Sequence, residues 1–219
     1  MTIICECHVE GKDDEHTLVQ LLARYGIKLD KDLGPVAFKS AGCDTKLLEF
    51  LPTAIRASSN RAVGFIIDAD DSAHNRWHAI SAKLREFSND LPASCPEDGF
   101  ISDIPELNSR VGVWIMPDNI ADFAKLENLL KELVPENDLL ISHAESSVDH
   151  ASSLGANFSD RDRIKSVIHT WLAWQAEPGL PYGLAIKAKY FSHRTCVSDA
   201  FCKWFCSLFA TVSPELETK

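Results

Sequence analysis

A continuous apolar run, Ala62-Val63-Gly64-Phe65-Ile66-Ile67, ends abruptly in Asp68-Ala69-Asp70-Asp71. A strand with no polar face must be buried on both sides, which requires a sheet covered by helices on both faces. The surrounding pattern agrees. Ile3 to Val9, Val36 to Lys39 and Val111 to Met116 also read as strands. Between them, apolar residues recur at helical spacing from Asp13 to Arg24, from Asp44 to Ile55 and from Trp77 to Phe87. Asp13 or Asp14 suits the cap of the first helix, and Asp44 that of the second. Strands alternating with helices predict an α/β fold with a four-stranded, mostly parallel sheet.

Ser88 to Arg110, with Pro92, Pro96, Gly99 and Pro105, reads as a long loop or a small hairpin insertion. A helix is expected from about Phe123 to Leu133. Beyond it the pattern is helical only: Leu139 to Leu154, Ser159 to Ala176, Leu184 to Phe191 and Val197 to Phe209. The organisation predicted is an α/β domain over 1–137, a helical region over 138–212 packed on it, and a tail over 213–219. Trp171, Trp174 and Trp204 fall in helical register with Leu172, Phe201, Phe205 and Leu208, which suits core packing better than base stacking.

The chain carries a net charge of −10, which argues against a broad nucleic-acid-coating surface. The charge is uneven: between Ser159 and Ala210, Arg161, Arg163, Lys165, Lys187, Lys189, Arg194 and Lys203 outnumber the acids. Solvated helix faces explain this as readily as a substrate-facing surface does. No apolar run approaches a membrane span, and the start lacks the pattern of an export signal. The seven cysteines therefore read as reduced thiols of a cytoplasmic protein, serving as small apolar residues rather than as a zinc site.

In parallel sheets, ligands bind outside the carboxyl ends of the strands. That rule selects Glu10-Gly11, Asp68-Ala69-Asp70-Asp71 and Pro117-Asp118-Asn119. Buried carboxylates that face one another repel, and a divalent cation relieves the repulsion. Oxygen-only ligands select Mg²⁺ or Mn²⁺. Helix capping by Asp70 or Asp71 and loop-amide binding by Asp68 explain the same residues without a metal. Glu10, ending a different strand and followed by Gly11, adds weight to the metal reading. Lys12 would offer an ammonium to a phosphate, or is simply a solvated lysine. Asp118 and Asn119 suit contact with metal, water or phosphate, or an ordinary turn. Lys165 and His169, one helical turn apart, would neutralise phosphate charge or form a common surface pair.

Val9-Glu10-Gly11-Lys12-Asp13-Asp14 after the first strand and Ile67-Asp68-Ala69-Asp70-Asp71 after the third resemble the Toprim domain. That domain occurs in topoisomerases, bacterial primases, small ribosomal-RNA maturases and nucleases of the overcoming-lysogenization-defect type. The resemblance covers about the first 135 residues and is nearest to the small maturases and stand-alone Toprim-like proteins. It implies that Glu10 is a metal ligand or general acid/base, and that Asp68 and Asp70 are metal ligands. Glu127 resembles the extra acid of the nuclease branch, for a second metal. Its alternative is an exposed helix position or a salt-bridge partner.

Tyr25, Tyr182 and Tyr190 lie in no recognisable nucleophile context, which argues against topoisomerase chemistry. Two function classes follow. One is a Mg²⁺-dependent nuclease hydrolysing RNA or DNA. The other is a binding or regulatory module, weak alone and dependent on a protein partner such as an ATPase.

Overall fold

The structure, a computed structural model, describes residues 5–29 and 36–209. Its strands are β1 (Cys5–Val9), β2 (Val36–Ser40), β3 (Ala62–Asp68), β4 (Phe100–Ile104) and β5 (Ser109–Met116). They form one sheet in the order β2-β1-β3-β5-β4. The four expected strands are present and parallel. The fifth corrects the expected count: β4 lies within Ser88 to Arg110 and pairs antiparallel with β5. Phe100 and Ile104 are buried at its two ends, so it adds apolar cover at the sheet edge. Pro96, Gly99 and Pro105 delimit this strand rather than break it. Ile3, Ile4 and the expected tail 213–219 lie outside the described residues.

The helices are α1 (Lys12–Arg24), α2 (Asp44–Arg56), α3 (Ala73–Leu84), α4 (Leu126–Glu132), α5 (Leu139–Ser153), α6 (Arg163–Ala173), α7 (Tyr182–Lys187) and α8 (Cys196–Phe209). No described helix is long and apolar enough to cross a membrane. Several starts differ from expectation: the cap of α1 is Gly11 rather than Asp13 or Asp14, and three further differences have a visible local reason. Cys43, not Asp44, is the cap residue of α2. Asp44 lies in the first turn, accepting the Thr45 amide at 2.6 Å. Helix α3 starts before Trp77 because Asp122 accepts the Ala73 amide at 2.8 Å and Ser72 caps the turn. Helix α4 starts after Phe123 because Ala124 is held in a two-residue bridge to Asp70.

The sheet buries both faces, as the apolar run requires. Val63, Phe65, Ile67, Val111, Val113 and Ile115 pack against α2 and α3 through Leu51, Ile55, Trp77 and Ile80. Cys7, Val9, Ile66, Trp114 and Met116 point the other way, where α1 and the C-terminal helices bring Leu18, Leu22, Trp171, Phe201, Trp204 and Phe205. The C-terminal helices therefore share one continuous core with the sheet. Burying each such large side chain contributes on the order of 2–3 kcal/mol. Gly64 and Gly112 are partners in register across β3 and β5. A Cβ at Gly112 would stand 2.5 Å from the Leu208 side chain, so the bare backbone there lets α8 rest on the sheet. Trp171 and Trp204 are buried as expected, while Trp174 is part-exposed.

Candidate functional site

The parallel register places the ends of β1 and β3 side by side, so Glu10 and Asp68 meet at one sheet edge. Glu10 Oε1 accepts the Asp68 backbone N–H at 2.7 Å. Asp68 Oδ1 accepts the N–H of Leu126, the first residue of α4, at 3.0 Å. Each carboxylate thus keeps one oxygen outside these bonds. Gly11 and Asp14 open α1 just behind them, with the Gly11 N–H donating to Asp14 Oδ2 at 2.9 Å.

These acids are costly to hold ionised together. Burial pushes the Glu10 carboxyl up to about 7, with Asp14 and Asp70 adding to the rise against the Asp68 amide and Arg76. Burial likewise pushes Asp14 up to about 6, with Glu127 and Asp13 contributing. Asp68 is raised well above the ordinary carboxylate range by burial, then by the charges of Glu10, Asp14, Glu127 and Asp70. Burial is the largest cause of all three shifts, and the like charges nearby add to it.

Glu127 is buried on α4. Tyr182 Oη donates to Glu127 Oε1 at 3.2 Å and lies 3.0 Å from His169 Nε2. Because the tyrosine proton goes to the carboxylate, the imidazole contact requires His169 Nε2–H as donor. Lys165 Nζ stands 3.9 Å from Glu127 Oε1. Gly183 lets α7 lie on α1, since a Cβ there would stand 2.7 Å from the His16 carbonyl oxygen. That close approach carries the neighbouring Tyr182 to Glu127.

Asp70 is set apart from this group by its partners. Its backbone is left-handed, with φ of 50°. Its carboxylate pairs with Arg76, which also holds Asp44 Oδ2 at 3.1 Å. Among the described residues, no three carboxylate, imidazole or thiol side chains stand close enough together to hold a metal ion. Glu10 and Asp68 each turn one oxygen to a backbone amide, and Asp70 turns to Arg76.

The other candidates separate clearly. Lys12 is exposed and pairs with Glu15 at 2.7 Å, one turn along α1. Asn119 follows its turn reading: its carboxamide is buried and bonded within the chain. The side-chain oxygen accepts the Ile115 amide at 2.7 Å, and the nitrogen donates to the Glu97 carbonyl at 3.2 Å. Asp118 caps the same turn through the amides of Ile120 and Ala121. Asp71 pairs with Arg161 at 2.6 Å. The pattern of residues marks Asp14 as a cap and as part of the Toprim-like motif, marks Tyr182 only as a tyrosine outside any nucleophile context, and does not mark Arg76. Their roles depend on tertiary proximity, which spacing does not carry.

Residues 7–210 match the family described as "Protein of unknown function (DUF3226)". The chain belongs to the DUF3226 family. The DUF3226 match runs through both the sheet and the C-terminal helices, the two parts that share one core. No curated protein and no solved structure matches the chain.

Proposed function

We propose that the chain is a Mg²⁺-dependent phosphodiesterase acting on RNA or DNA, of the Toprim kind that its two strand-end motifs resemble. One observation carries the reading. Asp68, on the strand beside Glu10, is buried within reach of the charges of Glu10, Asp14, Glu127 and Asp70, and Glu10 within reach of Asp14 and Asp70. A fold gains nothing from that repulsion unless a cation or a proton is meant to sit there. The donor set fits a hard divalent ion: all oxygen, largely buried, with free carboxylate oxygens remaining on Glu10 and Asp68. Glu10 and Asp68 are the residues that would hold Mg²⁺ or Mn²⁺, with Glu127 and Asp70 joining only after a shift, Glu127 away from Tyr182 and Asp70 away from Arg76.

A bound Mg²⁺ would polarise a phosphate oxygen and lower the pKa of an attacking water. The rest falls to the chain. Held by the metal, Glu10 would stay ionised; left outside the metal's shell, it would take a proton from the attacking water. Lys165, part-exposed beside Glu127, would offer positive charge to a bound phosphate. Tyr182, held by His169, fixes the Glu127 carboxylate. One feature favours the alternative of a module dependent on a protein partner: the Arg76 bond keeps Asp70 out of the group.

The test is hydrolysis of labelled single- and double-stranded RNA and DNA by the full chain with and without Mg²⁺. Cleavage is expected with Mg²⁺ and is expected to fall by about 100-fold or more in Glu10→Gln and Asp68→Asn, as for loss of a major transition-state contact. Equal cleavage by both folded variants would refute the assignment.

A further inference from the structure

Beside Asp70 a cleft of about 860 Å³ runs between α4 and the start of α6. Its lining includes Lys125, the cap residue of α4, and Lys131 within α4, Arg163 at the start of α6 and Arg161 in the turn before it, and Phe123. We propose that this cleft binds a single-stranded nucleic acid, with phosphates on these cations and a base stacked on Phe123. The inference rests on the proposed phosphodiesterase reading and names the form of its substrate.

Phe123 is the first support. The residue is 77% exposed, so its ring gains little from burial. Its backbone is also left-handed, with φ of 53°, a conformation unfavourable for a bulky side chain. What holds it there is the next residue: Ala124 N–H donates to the Asp70 carbonyl at 3.0 Å, and Asp70 N–H donates back at 2.9 Å. The same bridge that shapes the Asp70 loop therefore fixes an aromatic ring next to the carboxylate site. Ile120, in the same loop, is also exposed.

The cations are the second support. Each is paired at the surface: Lys125 with Asp162, Lys131 with Glu145, Arg161 with Asp71 and Arg163 with Asp149. Exposed pairs are weak and exchange readily for a phosphate, whose oxygens accept bidentate guanidinium bonds. Until then they hold the long side chains in place. Asp70, Asp71 and Asp160 also line the cleft, which restrains non-specific binding of anions. The lining carries four cations against three carboxylates, a local positive balance on a chain whose net charge is −10. An open aromatic face suits an unpaired base, since duplex bases are already stacked on one another.

The test is fluorescence anisotropy of labelled oligothymidylate, oligouridylate and a duplex of the same length, with full-length protein in chelator so that nothing is cut. Either single strand is expected to bind more tightly than the duplex, and the two strands tell DNA from RNA preference. Phe123→Ala is expected to weaken binding about 5- to 100-fold, the range for loss of one stacked base. Arg161→Ala is expected to reduce the salt slope by about 0.7, one phosphate on a single strand. Both positions are exposed, and an unchanged circular dichroism spectrum verifies folding. Equal affinity for duplex, no binding to any strand, no effect of Phe123→Ala, or equal affinity for polyglutamate would each overturn the inference. Failure of the catalytic reading looks different: single strands would bind as described, yet remain intact when Mg²⁺ is added.

Discussion

In chelator at pH 8, Glu10→Gln and Asp68→Asn proteins are expected to melt at higher temperature than the parent chain. The expectation follows from the direction of the shifts. The Glu10 carboxyl lies near 7 in the fold against an ordinary 4.5, so the folded state holds its proton more tightly than the unfolded one. Stability from this group is fully present below about pH 4.5 and is lost as pH rises to about 7. Asp14, raised from 3.8 to about 6, slopes the same way. Above pH 7 the parent therefore carries the whole penalty of its ionised pocket. Glutamine at position 10 keeps an oxygen for the Asp68 amide, and asparagine at 68 keeps one for Leu126. Each variant loses the charge while the hydrogen bond remains. The gain is about 1–3 kcal/mol, or roughly 3–10 °C for a chain of this size. At pH 4.5 the difference should largely vanish. Scanning calorimetry across this pH range checks both arms, and lower melting of both variants at pH 8 would contradict the repulsion.

The second large effect concerns the cover over the sheet. Gly99 has φ of +82°, and a Cβ there would stand 2.8 Å from Trp204 Cγ and 2.9 Å from Trp114 Cε3. Both indoles are buried, and Trp204 Nε1 donates to the Phe100 carbonyl at 3.1 Å. Neither ring has room to move. Gly99→Ala combines a left-handed backbone penalty with overpacking, for a loss of about 3–5 kcal/mol. Gly26→Ala isolates the first part, because Gly26 has φ of +79° and nothing within 4 Å of its added Cβ. That control is expected to cost only about 1 kcal/mol. Urea denaturation of the two variants separates the contributions. Similar losses in both would mean that α8 does not press on β4 as described.

How far the residues alone reveal this arrangement depends on the distance over which each interaction acts. Ala62 to Ile67 reads as a doubly buried strand because that property is local and continuous. Glu10 and Asp68 are legible for the same reason: each follows its own strand, and parallel pairing puts strand ends together. Strand β4 was hidden because its five residues sit between proline and glycine punctuation, and its pairing to β5 is what makes it a strand. Asn119 looked like a ligand because it follows a buried strand at the favoured edge. Its carboxamide closes a turn back onto β5, with the backbone at φ of 70°. Arg76 and Tyr182 show no local sign at all, since one acts on Asp70 and Asp44 and the other reaches across from α7.

The central claim is that the edge formed by Glu10 and Asp68 is built for a divalent cation. Titrating Mn²⁺ into chelator-free protein at pH 7.5, with heat as the readout, tests it most directly. The account predicts saturable binding to the parent chain, with uptake accompanied by proton release from the raised carboxyls. The same titration should lose most of its heat in Asp68→Asn. Absence of binding to the parent, or equal binding to the folded variant, would contradict it.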